Sequence, residues 1–330
     1  MRAPEFWYDP RKAATPALLS PLASLYTAAG TFRQALVQPA PAPVPVVCVG
    51  NLVAGGAGKT PVALALVELA RPAGLETAFL TRGHGGRATG PLLVDPERHD
   101  PRTVGDEPLL LAAAAATWVA RDRCAGAAAA AEAGARLIIM DDGFQNPRLG
   151  KDVSLLVIDG ESGLGNGRVM PAGPLREPLD RALTRADAVV LMGRDRHGLR
   201  RALAPRLPVL GARLAPTAEG ETLAGMRVLA FAGIGRPAKF FETLAELGCA
   251  VVARHAFPDH HRYRPDEIMR LCEDADVLDA LPVTTAKDLV RLPPEARPMV
   301  RVLPVTAEWE DTDAVVDLLA PVLKRARAHV

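Results

Sequence analysis

Four apolar residues, 46–49, run straight into Gly50-Asn51-Leu52-Val53-Ala54-Gly55-Gly56-Ala57-Gly58-Lys59-Thr60-Pro61, and a helical pattern opens at Val62. No other junction constrains the chain as strongly. A strand that ends in a glycine-rich turn and reopens as a helix at Gly-Lys-Thr is built to cradle phosphate. The glycines let backbone N–H groups turn inward, and the helix N-terminus adds the positive end of its dipole. Lys59 is placed to reach β- and γ-phosphates, and the Thr60 hydroxyl to ligate Mg²⁺. The strict spacing wants glycine five residues before Gly58, where this chain carries Val53; Gly55 and Gly56 supply the freedom instead. Gly55, Gly56, Ala57, Gly58, Lys59, Thr60 and Pro61 are therefore the candidate nucleotide-binding residues.

From residue 44 onward, short apolar runs alternate with helical patterns, at 46–49, 77–80, 137–140, 155–158, 189–192, 228–231, 250–253 and 300–305. Strands that are apolar throughout and separated by helices form a parallel sheet covered on both faces. The expected fold class is α/β: a mostly parallel sheet of P-loop NTPase type flanked by helices, with a second, smaller α/β lobe. Residues 215–225, rich in Gly, Pro, Thr and Glu, separate the two groups of strands. The expected division is an N-terminal amphipathic helix in 1–40, a nucleotide-binding core in 41–215 and the smaller lobe in 216–330.

A length of 330 residues fits about two domains of ordinary size. With 39 basic against 38 acidic side chains and 4% aromatics, there is neither a basic field nor a set of stacking platforms, so nucleic acid is excluded as the main partner. Cys48, Cys124, Cys249 and Cys272 never form a C-x-x-C pair, which argues against a zinc ribbon or a disulfide framework. Residues 13–32 carry no charge, but Pro16, Pro21 and Gly30 interrupt them, and neither a membrane span nor a signal segment fits. Read as a helix, this stretch places Leu18, Leu22, Leu25, Ala29, Phe32 and Leu36 in one apolar stripe, with Trp7, Tyr8, Arg11, Lys12 and Arg33 at its ends. That mixture suits a lipid headgroup boundary, and it suits equally a helix packed on the protein's own core.

The acidic partner of the phosphate loop is expected where a buried strand emerges, because ligands of open α/β sheets sit at the carboxyl ends of strands. Residues 137–140 lead into Asp141-Asp142-Gly143-Phe144-Gln145, so one of the two aspartates is the Mg²⁺ partner and the other is free to position an acceptor. Gly105-Asp106-Glu107-Pro108 precedes a helical run at 109–116; Asp106 suits an N-cap and Pro108 a first turn. The same junction also presents a carboxylate on the edge where the phosphate loop opens.

Phe257-Pro258-Asp259-His260-His261-Arg262-Tyr263 brings two adjacent histidines after a strand. They make a poor zinc site; acid–base work, orientation of a carboxylate or a plain surface loop all remain open. Gly233-Ile234-Gly235-Arg236-Pro237-Ala238 imitates a dinucleotide fingerprint without its distal acid and reads as a tight βα turn. In Thr285-Ala286-Lys287-Asp288 the Lys and Asp are adjacent, which argues against guanine recognition.

In this order the segments resemble the tetraacyldisaccharide 4′-kinase family, the lipid A 4′-kinases of Gram-negative bacteria. The resemblance runs nearly end to end. It rests on Phe6-Trp7-Tyr8, Gly50 to Pro61, Thr81-Arg82-Gly83-His84-Gly85, Gly105-Asp106-Glu107-Pro108, Asp141-Asp142-Gly143-Phe144-Gln145 and Pro171-Ala172-Gly173-Pro174-Leu175-Arg176-Glu177-Pro178. The run from Phe231, Asp259-His260, and Thr285-Ala286-Lys287-Asp288 before Val290-Arg291-Leu292 complete it. His84 stands where the family has Tyr, and Ala286 where it has an acidic residue.

The resemblance implies ATP-dependent phosphorylation of the 4′-hydroxyl of a tetraacylated glucosamine disaccharide 1-phosphate, giving lipid IVA, with ATP and Mg²⁺ as cofactors. It also implies a peripheral or monotopic protein on the cytoplasmic face of the inner membrane, which turns the N-terminal stripe toward lipid; no obligate protein partner is expected. On the matching motifs, Asp106 is the catalytic base with His260 as its dyad partner across the lobes, and Lys59 and Asp142 act beside it. Thr60, Glu107 and Asp141 face Mg²⁺, Gln145 lies near the nucleotide, and Asn51, Arg82 and Arg176 face substrate anions. A regulatory or metallochaperone P-loop NTPase would share the loop and the strand-end carboxylates. It would leave the N-terminal stripe and Asp259-His260 unexplained, and it would turn over ATP without the lipid.

Overall fold

The strand that feeds the phosphate loop lies at the centre of the larger of two sheets. The computed structural model describes residues 4–328 apart from residues 10 and 13. Its strands, in chain order, are β1 (Val46–Asn51), β2 (Thr77–Thr81), β3 (Leu92–Leu93), β4 (Ala116–Val119), β5 (Leu137–Asp141), β6 (Val153–Asp159), β7 (Ala188–Met192), β8 (Val209–Pro216), β9 (Arg227–Ala232), β10 (Ala250–Ala256), β11 (Leu281–Thr285), β12 (Arg301–Leu303) and β13 (Val305–Trp309). The first sheet has nine strands in the order β13-β8-β7-β6-β1-β5-β2-β4-β3. All pairs in it are parallel except the two outermost, β13 with β8 and β3 with β4.

β1 therefore sits between β5 and β6, with Val49 opposite Asp141 and Asn51 opposite Val157. Every residue of these three strands is buried. Their alternation feeds two cores: Val47 and Val49 join the layer under the helix Lys59–Ala70, while Val46 and Cys48 join the layer under the helix Arg123–Glu132. Each large side chain fully buried here contributes about 1.5–3 kcal/mol relative to exposure.

The second sheet, β10-β9-β11-β12, is wholly parallel. Val228 and Ala230 face the helix Pro237–Glu246 on one side, and Leu229 and Phe231 face the helix Pro265–Val277 on the other. The fingerprint-like Gly233-Ile234-Gly235-Arg236 is the turn between β9 and the first of these helices.

Three expectations need correction. The run 300–305 is not one strand: Pro304 lacks the N–H a ladder needs, and the chain breaks there into β12 in the second sheet and β13 in the first. The lobe boundary drawn as 216–330 consequently fails at its far end. β13 pairs with β8, and the helix Thr312–Ala328 inserts Val315, Leu319, Val322 and Ala326 into the core beside Val62 and Leu66. The helical run 109–116 stops at Ala112, and Ala116 already opens β4; the alanines between them are good helix formers and carry no breaker, so the sequence pattern does not mark the change.

The N-terminal helix spans Ala14–Ala35. Its stripe does not pack on the core: Leu18, Leu22, Leu25, Phe32 and Leu36 are all more than half exposed. The helix is held from its other side, where Pro16 and Ala23 are buried, Arg168 donates to the Ser20 hydroxyl at 2.7 Å and Arg181 to that of Thr31. Among the described residues no helix is long and apolar enough to cross a membrane.

Candidate active site

The phosphate loop takes its shape from the residues around it. Gly58, left-handed at φ 89, caps the helix that begins at Lys59 and lies close to Met192 at the end of β7. Val53, at the position where glycine was wanted, is buried and bridges to Leu175, so the loop turns after it. Asn51, expected to contact substrate, has no access to one: it is fully buried, and its Nδ2 donates to the carbonyls of Val53 at 2.6 Å and Gly55 at 3.1 Å. It braces the loop. Gln145 braces it from outside, donating to the Asn51 carbonyl at 2.9 Å.

Lys59 lies 3.6 Å from Asp142, and Thr60 donates to Asp141 Oδ2 at 3.3 Å. Asp142 holds a left-handed φ of 53, a strained conformation for a residue with a side chain, and this aims its carboxylate at Lys59 and at Arg176, 3.1 Å away. Arg176 also donates to Gln145 Oε1 at 3.3 Å. Burial works to raise the Asp142 pKa, but Lys59 and Arg176 outweigh it and hold the group below the usual carboxylate range. Asp141, buried and close to the Glu107 charge, is pushed up to about 7.

Its second oxygen, Oδ1, is buried without a hydrogen-bond partner. An orphaned buried carboxylate oxygen beside a threonine hydroxyl, with Glu107 near, is the hard-oxygen environment that suits Mg²⁺. Among the described residues no three His, Cys, Asp or Glu side chains converge as a closed cage. Mg²⁺ sites that rely on one or two carboxylates, water and phosphate need none.

Asp106 faces this edge from the start of the helix Asp106–Ala112. It is not the N-cap: Gly105 is, at φ 94 and so close to the His84 carbonyl that a Cβ there would meet it at 2.5 Å. Relieved of capping, the Asp106 carboxylate points across to the second lobe. His260 Nδ1 lies 2.9 Å from its Oδ2, and His260 too is left-handed, at φ 59. His261 points elsewhere, stacked on Phe257 and 3.2 Å from Glu267. Two groups that motif reading left without a role complete the contact: Arg291 Nε donates to the same Asp106 oxygen at 2.7 Å, and Lys287 to Glu107 at 3.0 Å.

Arg82 is exposed at the end of β2 and forms no ion pair among the described residues. Beside it Arg123, which the sequence did not single out, is buried with its Nε unpartnered; burial and the neighbouring Arg82 charge lower its pKa to about 10. Arg123 Nη1 donates to the Ala120 carbonyl.

A glycine-rich loop that follows a central parallel strand and opens a helix at Lys59-Thr60, with the Asp141 and Asp142 carboxylates at the end of the neighbouring strand, places the molecule among the P-loop kinases in class. The profile of the tetraacyldisaccharide-1-P 4′-kinase family matches residues 15–324. A tetraacyldisaccharide 4′-kinase of Rhodospirillum centenum is 58% identical, covering 100% of this chain and 99% of its own, and one of Rhodospirillum rubrum is 51% identical over 97% and 98%. A solved structure from Aquifex aeolicus, described as the "apo" form of LpxK in complex with ATP, superposes with a TM-score of 0.74 at 27% identity, covering 93% of this chain and 99% of that one. The chain belongs to the tetraacyldisaccharide-1-P 4′-kinase family.

Proposed function

We propose that the chain transfers the γ-phosphoryl group of ATP to the 4′-hydroxyl of a tetraacylated glucosamine disaccharide 1-phosphate, the step that gives lipid IVA. One observation carries this reading: Thr60 and Asp141 meet at the sheet edge, opposite an Asp106 held from across the lobes by His260. The loop from Gly55 to Thr60 binds nucleotide phosphates through its N–H groups, and Lys59 gives up Asp142 for phosphate oxygens. Thr60, Asp141 and Glu107 hold Mg²⁺, which when bound neutralises charge on the phosphates.

Asp106 takes the proton of the acceptor hydroxyl. Burial works to raise its pKa, but the hydrogen bond with His260 and the charge of Arg291 bring it below the usual range, so it is ionised at neutral pH. Positioning of the two reactants supplies most of the acceleration. Arg82 takes the 1-phosphate of the lipid or an ATP phosphate, and Arg176, already engaged with Asp142, acts as a second anion contact.

The exposed stripe of the helix Ala14–Ala35 lies against lipid, on the cytoplasmic face of the inner membrane, because acyl chains cannot be left in water while the sugar reaches the loop. The experiment is incubation with Mg-ATP labelled at the γ position and the lipid disaccharide. Label on the disaccharide is the expected result, and label found only in inorganic phosphate would favour a regulatory NTPase instead.

A further inference from the structure

Arg291 lies almost wholly inside the protein, its side chain 3% exposed, yet it reaches out of its own lobe. Its Nη1 donates to the Gly233 carbonyl at 2.7 Å and to Asp288 Oδ1 at 3.2 Å. Asp288, fully buried, is itself fixed by the Tyr263 hydroxyl at 3.0 Å, the Thr285 hydroxyl at 2.7 Å and the Gly233 N–H at 3.0 Å. The guanidinium is thus clamped from behind, and Asp288 already neutralises it within the second lobe. The stability of that lobe does not call for a further carboxylate. Even so, Nε and Nη2 both lie 2.7 Å from Asp106 Oδ2 in the first lobe. His260 Nδ1 contacts the same oxygen, and Asp106 Oδ1 takes none of these hydrogen bonds.

We propose that Arg291 is a positioning residue for phosphoryl transfer: together with His260 it occupies Oδ2 of Asp106 and leaves Oδ1 as the oxygen that receives the acceptor proton. The inference rests on Asp106 being the base. Two donors of one rigid, planar guanidinium converge on Oδ2 and pin that oxygen in place, which the single flexible donor of a lysine does not. Because Asp106 and Arg291 belong to different lobes, Oδ1 is aimed only when the lobes are together.

The test is steady-state kinetics of R291K and R291A on Mg-ATP and the lipid disaccharide, alone and with D106N, with thermal melting of each variant. We expect R291K to lower kcat about tenfold and R291A about a hundredfold, with KM for both substrates within about twofold of the parent. Guanidinium ion added to R291A should restore part of the lost kcat. In the D106N background R291K should cost nothing further, because the group it aims is gone. An R291K enzyme with parental kcat, a loss confined to KM, or the same loss in the D106N background would overturn the proposal. If R291A fails to fold, R291K and its combination with D106N decide alone. D106N with parental kcat would instead defeat the assignment of the base, so the two failures are told apart.

Discussion

Lys287 Nζ lies 3.0 Å from Glu107 Oε1, so the residue next to Asp106 is also tied to the second lobe. The interface beside the site is consequently ionic: the second lobe presents Lys287, Arg291 and His260, and the first answers with Glu107 and Asp106. Arg236 adds a further link to Asp159 at the end of β6.

Lys287→Met tests that link. Both side chains are about one-third exposed, so the pair contributes no more than about 1 kcal/mol. We expect kcat/KM to fall by no more than about fivefold, and its decline between low and high salt to become shallower. A salt profile identical to that of the parent would show that the pair does not hold the lobes.

Lys59→Ala and Asp106→Ala should each remove transfer while leaving the fold in place. Loss of the lysine takes away a phosphate contact, and loss of the carboxylate forfeits about 10²–10⁴ in rate. Circular dichroism confirms the fold and the labelled-ATP assay reads the loss. An Asp106→Ala enzyme with near-parental kcat would refute its role.

Gly50→Ala should destabilise without touching the chemistry. A Cβ at Gly50 would sit 2.3 Å from the Cβ of Phe144, which is buried under the loop, and overpacking of this kind costs about 1–3 kcal/mol. The expected outcome is a melting temperature lower by several degrees.

Cys48 should resist thiol reagents in the native protein. Burial pushes its thiol up to about 11, so at pH 8 only about one molecule in a thousand carries the reactive thiolate. Labelling followed by peptide mapping should find Cys48 unmodified until denaturant is added.

Leu25→Glu with Phe32→Glu should weaken binding to anionic vesicles by at least about tenfold, since each apolar side chain that enters the lipid boundary contributes about 1.5–3 kcal/mol. Both are about two-thirds exposed, so the melting temperature should not change. Deletion of residues 1–36 should likewise shift the protein to the soluble fraction. Unchanged membrane association in either case would remove the anchor role.

What a reader of the chain can foresee depends on distance along it. Lys59 and Thr60 declare themselves because strand, turn and helix are contiguous, and Asp141 because an apolar run ends on it. Asp106 and His260 could be named, but their 2.9 Å contact spans 154 positions, and that of Arg291 with Asp106 spans 185. No periodicity registers such a pairing. Asn51 misled for the opposite reason: a polar side chain within a phosphate loop reads as a ligand, whereas it is fully buried and its Nδ2 donates to the carbonyls of Val53 and Gly55. β4 was hidden among alanines, and β13 behind the single proline that moves the chain from one sheet to the other.

That proline has a wider effect. The chain leaves the first lobe at Pro216 and re-enters it after Pro304, and the Thr217 N–H donates to the Pro304 carbonyl at 3.0 Å, so the outgoing and returning strands are stitched at one crossing. The second lobe is therefore an insertion on twin tethers rather than a tail. Because both tethers leave from neighbouring strands on one margin of the nine-stranded sheet, residues 217–304 could be exchanged or enlarged through evolution without interrupting the strands that run through its centre.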